Sequence, residues 1–194
     1  MGIDLAIFDM DGTIFTSNTN WSEVRIKLDI KPEETILENI FKNNEFNSKK
    51  LILLEEIEWK NTLSAIPVEG VSDFINVLKA RKIKVALVTN NNLKNTRYLL
   101  KKFKLSFDLI ITREMKMWKP DPAPVIYSID HFNVDKDNVI SFGDSKLDIS
   151  AYKSAGISDI YIKHNGLKKS LNNEENINFF VNFLGMAEKI LYKI

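Results

Sequence analysis

The chain has 194 residues, close to one domain or one domain with a modest insertion, which leaves no room for two full-sized domains. Hydrophobic residues make up 44% and charged residues 27%, enough apolar material for a packed core and too much for global disorder. With 27 Lys plus Arg against 26 Asp plus Glu, no cysteine and two histidines, the composition offers no charge signal for nucleic acid, no disulfide or thiolate zinc site and no histidine-rich metal cluster, so any metal would be held by oxygen. No apolar run approaches the roughly 20 residues that span a bilayer, and the N-terminus lacks the basic and apolar regions of a secretory signal. No membrane partner and a cytoplasmic location are expected.

Leu5 to Phe8 is a short, wholly apolar run that stops at Asp9-Met10-Asp11-Gly12-Thr13, the pattern of a buried strand ending in a polar turn. From Thr16 to Ile66 there is no strand-like run. The pattern there predicts helices over Trp21 to Leu28, Pro32 to Phe41 with Pro32 opening the helix, and Lys49 to Asn61. An insertion of this length is long for a connection and has the character of a helical lid. Pro67 to Gly70 marks the return.

Strands are then expected at Lys84 to Val88, Leu109 to Ile111, Val139 to Phe142 and Asp159 to Ile162, separated by helices over Val71 to Ala80, Leu93 to Phe103, Ala123 to Phe132 and Ile149 to Ala155. Lys168 to Asn178 reads as a polar loop, Ile177 to Val181 as a short edge strand, and Asn182 as the cap of a last helix reaching Leu191. Strand alternating with helix predicts an α/β fold: a Rossmann-like parallel sheet covered on both faces, with ligands bound outside the carboxyl ends of the strands. The core is expected from residues 1–15 and 67–194, and an all-helical cap from 16–66.

Polar groups cluster where such a sheet binds ligands. Asp9 and Asp11 follow the first strand at a spacing that turns both side chains the same way in extended chain, and Gly12 lets the backbone turn away. Thr89-Asn90 ends the second strand and Gly143-Asp144-Ser145 the fourth, while Lys119-Pro120-Asp121-Pro122 precedes the helix that starts at Ala123. Taken singly, Thr89 is a strand-terminal residue, Lys119 a solvated charge, and Asp144 and Asp148 a cap and first-turn acid. Their joint occurrence in this order overturns those readings.

Phe8-Asp9-Met10-Asp11-Gly12-Thr13 resembles the first motif of the haloacid dehalogenase superfamily in the form its phosphatases use, and the other three segments resemble the second, third and fourth motifs. The resemblance runs from Leu5 to about Ile162, with the cap matched in position and length only. It is closest to small-capped, phosphoglycolate phosphatase-like members. It implies Asp9 as nucleophile, Asp11 as general acid and base, Thr89, Asn90 and Lys119 as phosphate ligands, and Mg2+ held by Asp9, the Asp11 carbonyl and Asp144, with Asp148 and Gly12 in support.

The implied activity is hydrolysis of a small phosphorylated metabolite through an aspartyl phosphate. Ionised Asp9 needs no base to become a nucleophile, but it must approach an anion. At an effective dielectric of about 20, a unit-charge pair at roughly 4 Å costs about 4 kcal/mol, so positive charge is required beside it. In the cap, Trp21 and Arg25 stand four apart on one helical face as candidate specificity residues, whereas Trp59 reads as packing. Alternatives are a phosphomutase, a phosphonate hydrolase using a cap lysine (Lys27, Lys42, Lys49, Lys50 or Lys60), or a non-catalytic module that binds a phosphometabolite or a partner.

Overall fold

The run Leu5–Phe8 is buried along its whole length and forms β1, a strand with neighbours on both sides. Continuous burial of this kind suits the middle of a parallel sheet, where both faces are covered. The structure, a computed structural model, describes residues 2–16, 19–41, 47–164 and 177–191. Within them the other strands are β2 (Lys84–Val88), β3 (Leu109–Ile111), β4 (Val139–Gly143), β5 (Asp159–Lys163) and β6 (Ile177–Phe180), ordered β3-β2-β1-β4-β5-β6 with every pair parallel. The α/β class and the parallel sheet agree with expectation. The polar stretch from Lys168 lies outside the described residues up to Ile177, where β6 begins, and Lys42 lies outside them too.

Helices α1 (Trp21–Lys27), α2 (Ile36–Phe41) and α3 (Ser48–Ser64) all fall between β1 and α4 (Val71–Ala80). Along the rest of the described chain come α5 (Leu93–Lys102), α6 (Ala123–Phe132), α7 (Lys146–Ser154) and α8 (Met186–Leu191). Alternate residues of the sheet feed two cores. Phe8 and Phe142 point to the α4 and α8 side, stacked with ring centroids 4.7 Å apart, and Phe74 and Phe183 stack there at 5.4 Å. Leu5, Ile7 and Val88 point the other way, onto Val125 of α6 and Ile149 and Tyr152 of α7.

The first three helices bury their own apolar cluster of Val24, Leu28, Ile30, Leu37, Ile40 and Leu54. The chain departs and returns along paired backbone: Thr16 N–H donates to Ile66 O at 2.8 Å and Val68 N–H to Ile14 O at 2.9 Å. Trp59 of α3 packs its ring against Tyr98 of α5, centroids 5.1 Å apart, with the Lys94 ammonium 4.6 Å from the indole centre. Among the described residues no helix is long and apolar enough to cross a membrane.

Element ends differ from the sequence reading for identifiable reasons. Pro32 sits inside a turn closed by Glu34 N–H to Lys31 O at 3.1 Å, a position its fixed φ favours, so α2 begins only at Ile36. Helix α7 begins at Lys146, ahead of Ile149, because Ser145 caps it and forms a capping box with Asp148. Asn182 accepts from Leu184 N–H and donates to Glu69, which makes it a turn residue, and α8 starts after Gly185 instead.

Candidate active site

Three adjacent strands deliver the site. Asp9 follows β1, Thr89 follows β2 and Asp144 follows β4, and since β2 and β4 flank β1, the three positions converge at one edge of the sheet. The chain turns at Gly12, whose φ of +85° lies in the left-handed region, and a Cβ there would collide with the Asp144 carboxylate. Gly12 thus serves both the turn and the close approach of the fourth segment.

Lys119 is buried at the centre. Its Nζ lies 2.5 Å from Asp9 Oδ1, 2.6 Å from Asp148 Oδ1 and 2.9 Å from Val88 O. Its backbone is held as well: Asn90 Nδ2 donates to Lys119 O and Lys119 N–H donates to Asn90 Oδ1, both at 2.8 Å. The Asn90 side chain therefore positions the lysine loop. Thr13 Oγ1 donates to Asp9 Oδ2 at 3.0 Å. Asp148 Oδ2 accepts from Ser145 Oγ at 2.5 Å and Ser145 N–H at 3.0 Å, so this acid both caps α7 and pairs with Lys119.

The electrostatics follow from burial. Desolvation lifts Asp9 to about 7 against the opposing pull of Lys119, with Asp148 and Asp11 adding repulsion. Burial, helped by repulsion from Asp9 and Asp148, lifts Asp144 to about 8. Asp11 is also raised by burial, although the bond from Asn91 and the charges of Lys119 and Arg113 pull it down. Burial opposes the Lys119 ammonium, yet Asp148 and Asp9 outweigh it and leave the pKa above the usual lysine range.

Oxygen atoms of Asp9, Asp144 and Asp148 lie within 4.8 Å of one another. Buried carboxylates this crowded favour a cation, and an all-oxygen donor set suits a hard divalent ion. Asp9 and Asp148 both accept from Lys119, and their other oxygens accept from Thr13 and Ser145 respectively, so a cation at this cluster would share their oxygens with those donors.

Asp9, Asp11, Thr89, Asn90, Lys119, Asp144 and Asp148 line one cavity of about 290 Å³, and Trp21 and Arg25 of α1 form part of its wall. Several lining residues escaped the sequence reading, among them Asn91, Thr35, Glu58 and the apolar Ile36, Leu37 and Leu54. Asn91 donates to Asp11 Oδ2 at 2.8 Å. Thr35 and Arg25 each carry a buried polar atom, Oγ1 and Nε, with no hydrogen-bond partner among the described residues. Leu147 and Glu58 complete this part of the wall, the latter paired with Arg113. The run Thr89-Asn90-Asn91-Asn92 at a strand end was the available signal for Asn91; Glu58 and Arg113 carried none.

The chain is similar to several known proteins. Residues 22–162 match the family model described as haloacid dehalogenase-like hydrolase. A phosphorylated carbohydrates phosphatase of Thermotoga maritima is 34% identical over 106 residues, covering 53% of this chain and 47% of that protein. A phosphoglycolate phosphatase of Nitrosospira multiformis is 31% identical over 90 residues, covering 45% of this chain and 40% of that one. The matched stretches span less than half the length of each of these two relatives. The crystal structure of a HAD-superfamily hydrolase from Geobacter sulfurreducens superposes with a TM-score of 0.68 at 17% identity, covering 97% of this chain and all of that one, a likeness of fold. With the family model matched over most of its length and the four motif segments meeting at one cavity, the chain belongs to the haloacid dehalogenase-like hydrolases.

Proposed function

We propose that the protein is a magnesium-dependent phosphatase acting on a small phosphomonoester through an aspartyl-phosphate intermediate. The observation that carries this reading is the Lys119 ammonium lying 2.5 Å from Asp9 Oδ1, with Asp11 two residues further on, lining the same cavity. A carboxylate beside a buried cation is equipped to approach an anion. Asp9 attacks phosphorus, the bond to the leaving oxygen breaks, and Asp11 hands its proton to that oxygen. Asp11, now a carboxylate, takes a proton from the water that attacks the aspartyl phosphate, which frees Asp9 and inorganic phosphate. A pKa raised by burial suits Asp11 to the acid half of this cycle.

Mg2+ would be held by the Asp9 carboxylate, the Asp11 carbonyl and Asp144, and supplies positive charge against the phosphate. The Thr89 hydroxyl and the Asn90 N–H are assigned to the phosphoryl oxygens. Residues 16–66 act as the cap over a core of 1–15 and 67–194, with Trp21 and Arg25 reading the leaving group. The cavity of about 290 Å³ is at the small end for ligand pockets and fits a small phosphorylated metabolite. The phosphonate hydrolase gains no support, because among the described residues the lysine lining the cavity is Lys119 and no cap lysine does so.

Hydrolysis of 4-nitrophenyl phosphate with Mg2+, with excess chelator, and by Asp9→Asn tests the reading. Turnover lost in the last two is expected. Undiminished activity in chelator or in Asp9→Asn would overturn it, and phosphate binding without any turnover by the native chain would favour a binding module.

A further inference from the structure

Asn91 is buried beneath the cavity, and each of its polar groups has a partner. Its N–H donates to Thr89 Oγ1 at 3.0 Å, and its carbonyl accepts from Arg113 N–H at 3.3 Å. Its side-chain Oδ1 accepts from the backbone N–H of Asn92 at 2.8 Å and from Asn95 Nδ2 at 3.0 Å. A backbone N–H can only donate, so the atom facing Asn92 must be the amide oxygen, which settles the orientation of the carboxamide. The Nδ2 group then has one role left toward Asp11: it donates to Oδ2 at 2.8 Å.

A carboxyl oxygen that receives this bond cannot also carry a proton pointing at the same amide, since two donors would face each other. Among the described residues Asp11 Oδ1 accepts no hydrogen bond, and Asp11 lines the cavity. We propose that Asn91 is the positioning residue of Asp11, holding Oδ2 as a permanent acceptor and confining the transferable proton to Oδ1. The inference rests on the phosphatase reading and names the residue that gives its general acid one working oxygen. When the bond from phosphorus to the leaving oxygen breaks, the Oδ1 proton passes to that oxygen; in the second step Oδ1 takes a proton from the attacking water. Without Asn91 the carboxyl rotates and its proton is shared between two oxygens.

The test uses the full chain with Mg2+, an alkyl phosphate and 4-nitrophenyl phosphate, and compares kcat/KM for the native protein, Asn91→Ala and Asn91→Asp. The aspartate keeps the shape and the acceptor but loses the donor. A fall of about 10- to 100-fold for the alkyl ester, whose leaving oxygen needs the proton, and under about 3-fold for the aryl ester is expected. A merely structural role at the start of α5 would lower both equally and leave their ratio unmoved, and that result overturns the assignment. Should either variant fail to fold, the 15N spectrum of the native side-chain amides decides. Asp11→Ala must then move the Asn91 Nδ2 resonance, and an unmoved resonance overturns the contact. A native chain that hydrolyses neither ester sinks the phosphatase reading itself, whereas an active native chain with equal losses in the variants sinks only the role of Asn91.

Discussion

Glu58 and Arg113 meet fork to fork: Nη1 donates to Oε1 at 2.8 Å and Nη2 to Oε2 at 2.7 Å, joining α3 of the inserted helices to the turn that follows β3. Both side chains are buried, and Asn92 Nδ2 adds a longer bond to Glu58 at 3.4 Å. Removing Arg113 alone leaves the Glu58 carboxylate uncompensated in the interior, whereas Arg113 without Glu58 keeps Glu55, whose Oε1 lies 3.6 Å from Nη2. Arg113→Met is expected to cost about 3–5 kcal/mol by urea unfolding, and the double change Glu58→Leu with Arg113→Met much less. Equal costs for single and double variants would contradict the pairing.

The same pair predicts a pH dependence of stability. Burial lifts Glu58 to about 7 because desolvation outweighs Arg113, with Asp11 and Glu55 adding repulsion. A carboxyl whose pKa is higher folded than unfolded binds protons on folding, so its contribution is fullest below the unfolded value of about 4.5 and declines as pH rises toward 7. The difference in Tm between the native chain and Glu58→Gln should therefore change across that window. A constant difference would show that Glu58 stays ionised throughout.

Gly12→Ala strains a positive φ and drives a Cβ into the Asp144 carboxylate. The fold should lose about 1–3 kcal/mol, and the Mg2+ concentration for half-maximal activity should rise, as is expected for Asp144→Ala too. The rise in Tm on adding Mg2+ should shrink in both variants. An unaltered Mg2+ titration in Gly12→Ala would separate Asp144 from the metal site.

Arg25 Nε and Thr35 Oγ1 on the cavity wall are buried polar atoms without hydrogen-bond partners among the described residues, an arrangement that costs stability until a partner arrives. Arg25→Ala should raise KM for a phosphomonoester bearing a second anionic group and spare an aryl phosphate, a selectivity change of about 1.5–3 kcal/mol. Equal effects on both substrates would return Arg25 to a packing role.

The parts of the site that could be read from the sequence are those with a local signature. Leu5–Phe8 is uniformly apolar and stops at an acid pair and a glycine, so strand, turn and carboxylates declare themselves within nine residues. Lys119 and Asp144 stand out because they follow in order, the first shortly before α6 and the second at the end of β4. Glu58 and Arg113 were missed because a glutamate in a helix looks like a solvated charge, and only tertiary packing turns it inward. Asn91 was passed over for a related reason: an asparagine run after a strand reads as a loop, and its meaning lies in the bond it makes to Asp11, 80 residues away in the chain. Pro32 misled because the same φ serves both the first turn of a helix and a tight turn.

The position of β1 bears on how the chain becomes competent during synthesis. It is the earliest of the described strands, yet its partners are β2 and β4, so that Leu5 pairs with both Lys84 and Val139. A nascent chain that has emerged only as far as α6 carries Asp9, Asp11, Thr89 and Lys119 but lacks one neighbour of β1 and the carboxylate of Asp144. Closing that long loop is slow in entropic terms and leaves the edge of β1 exposed until β4 leaves the ribosome. Asp9, Asp11, Thr89, Lys119 and Asp144 therefore come together in a single late event, when β4 completes the bed on which β1 rests.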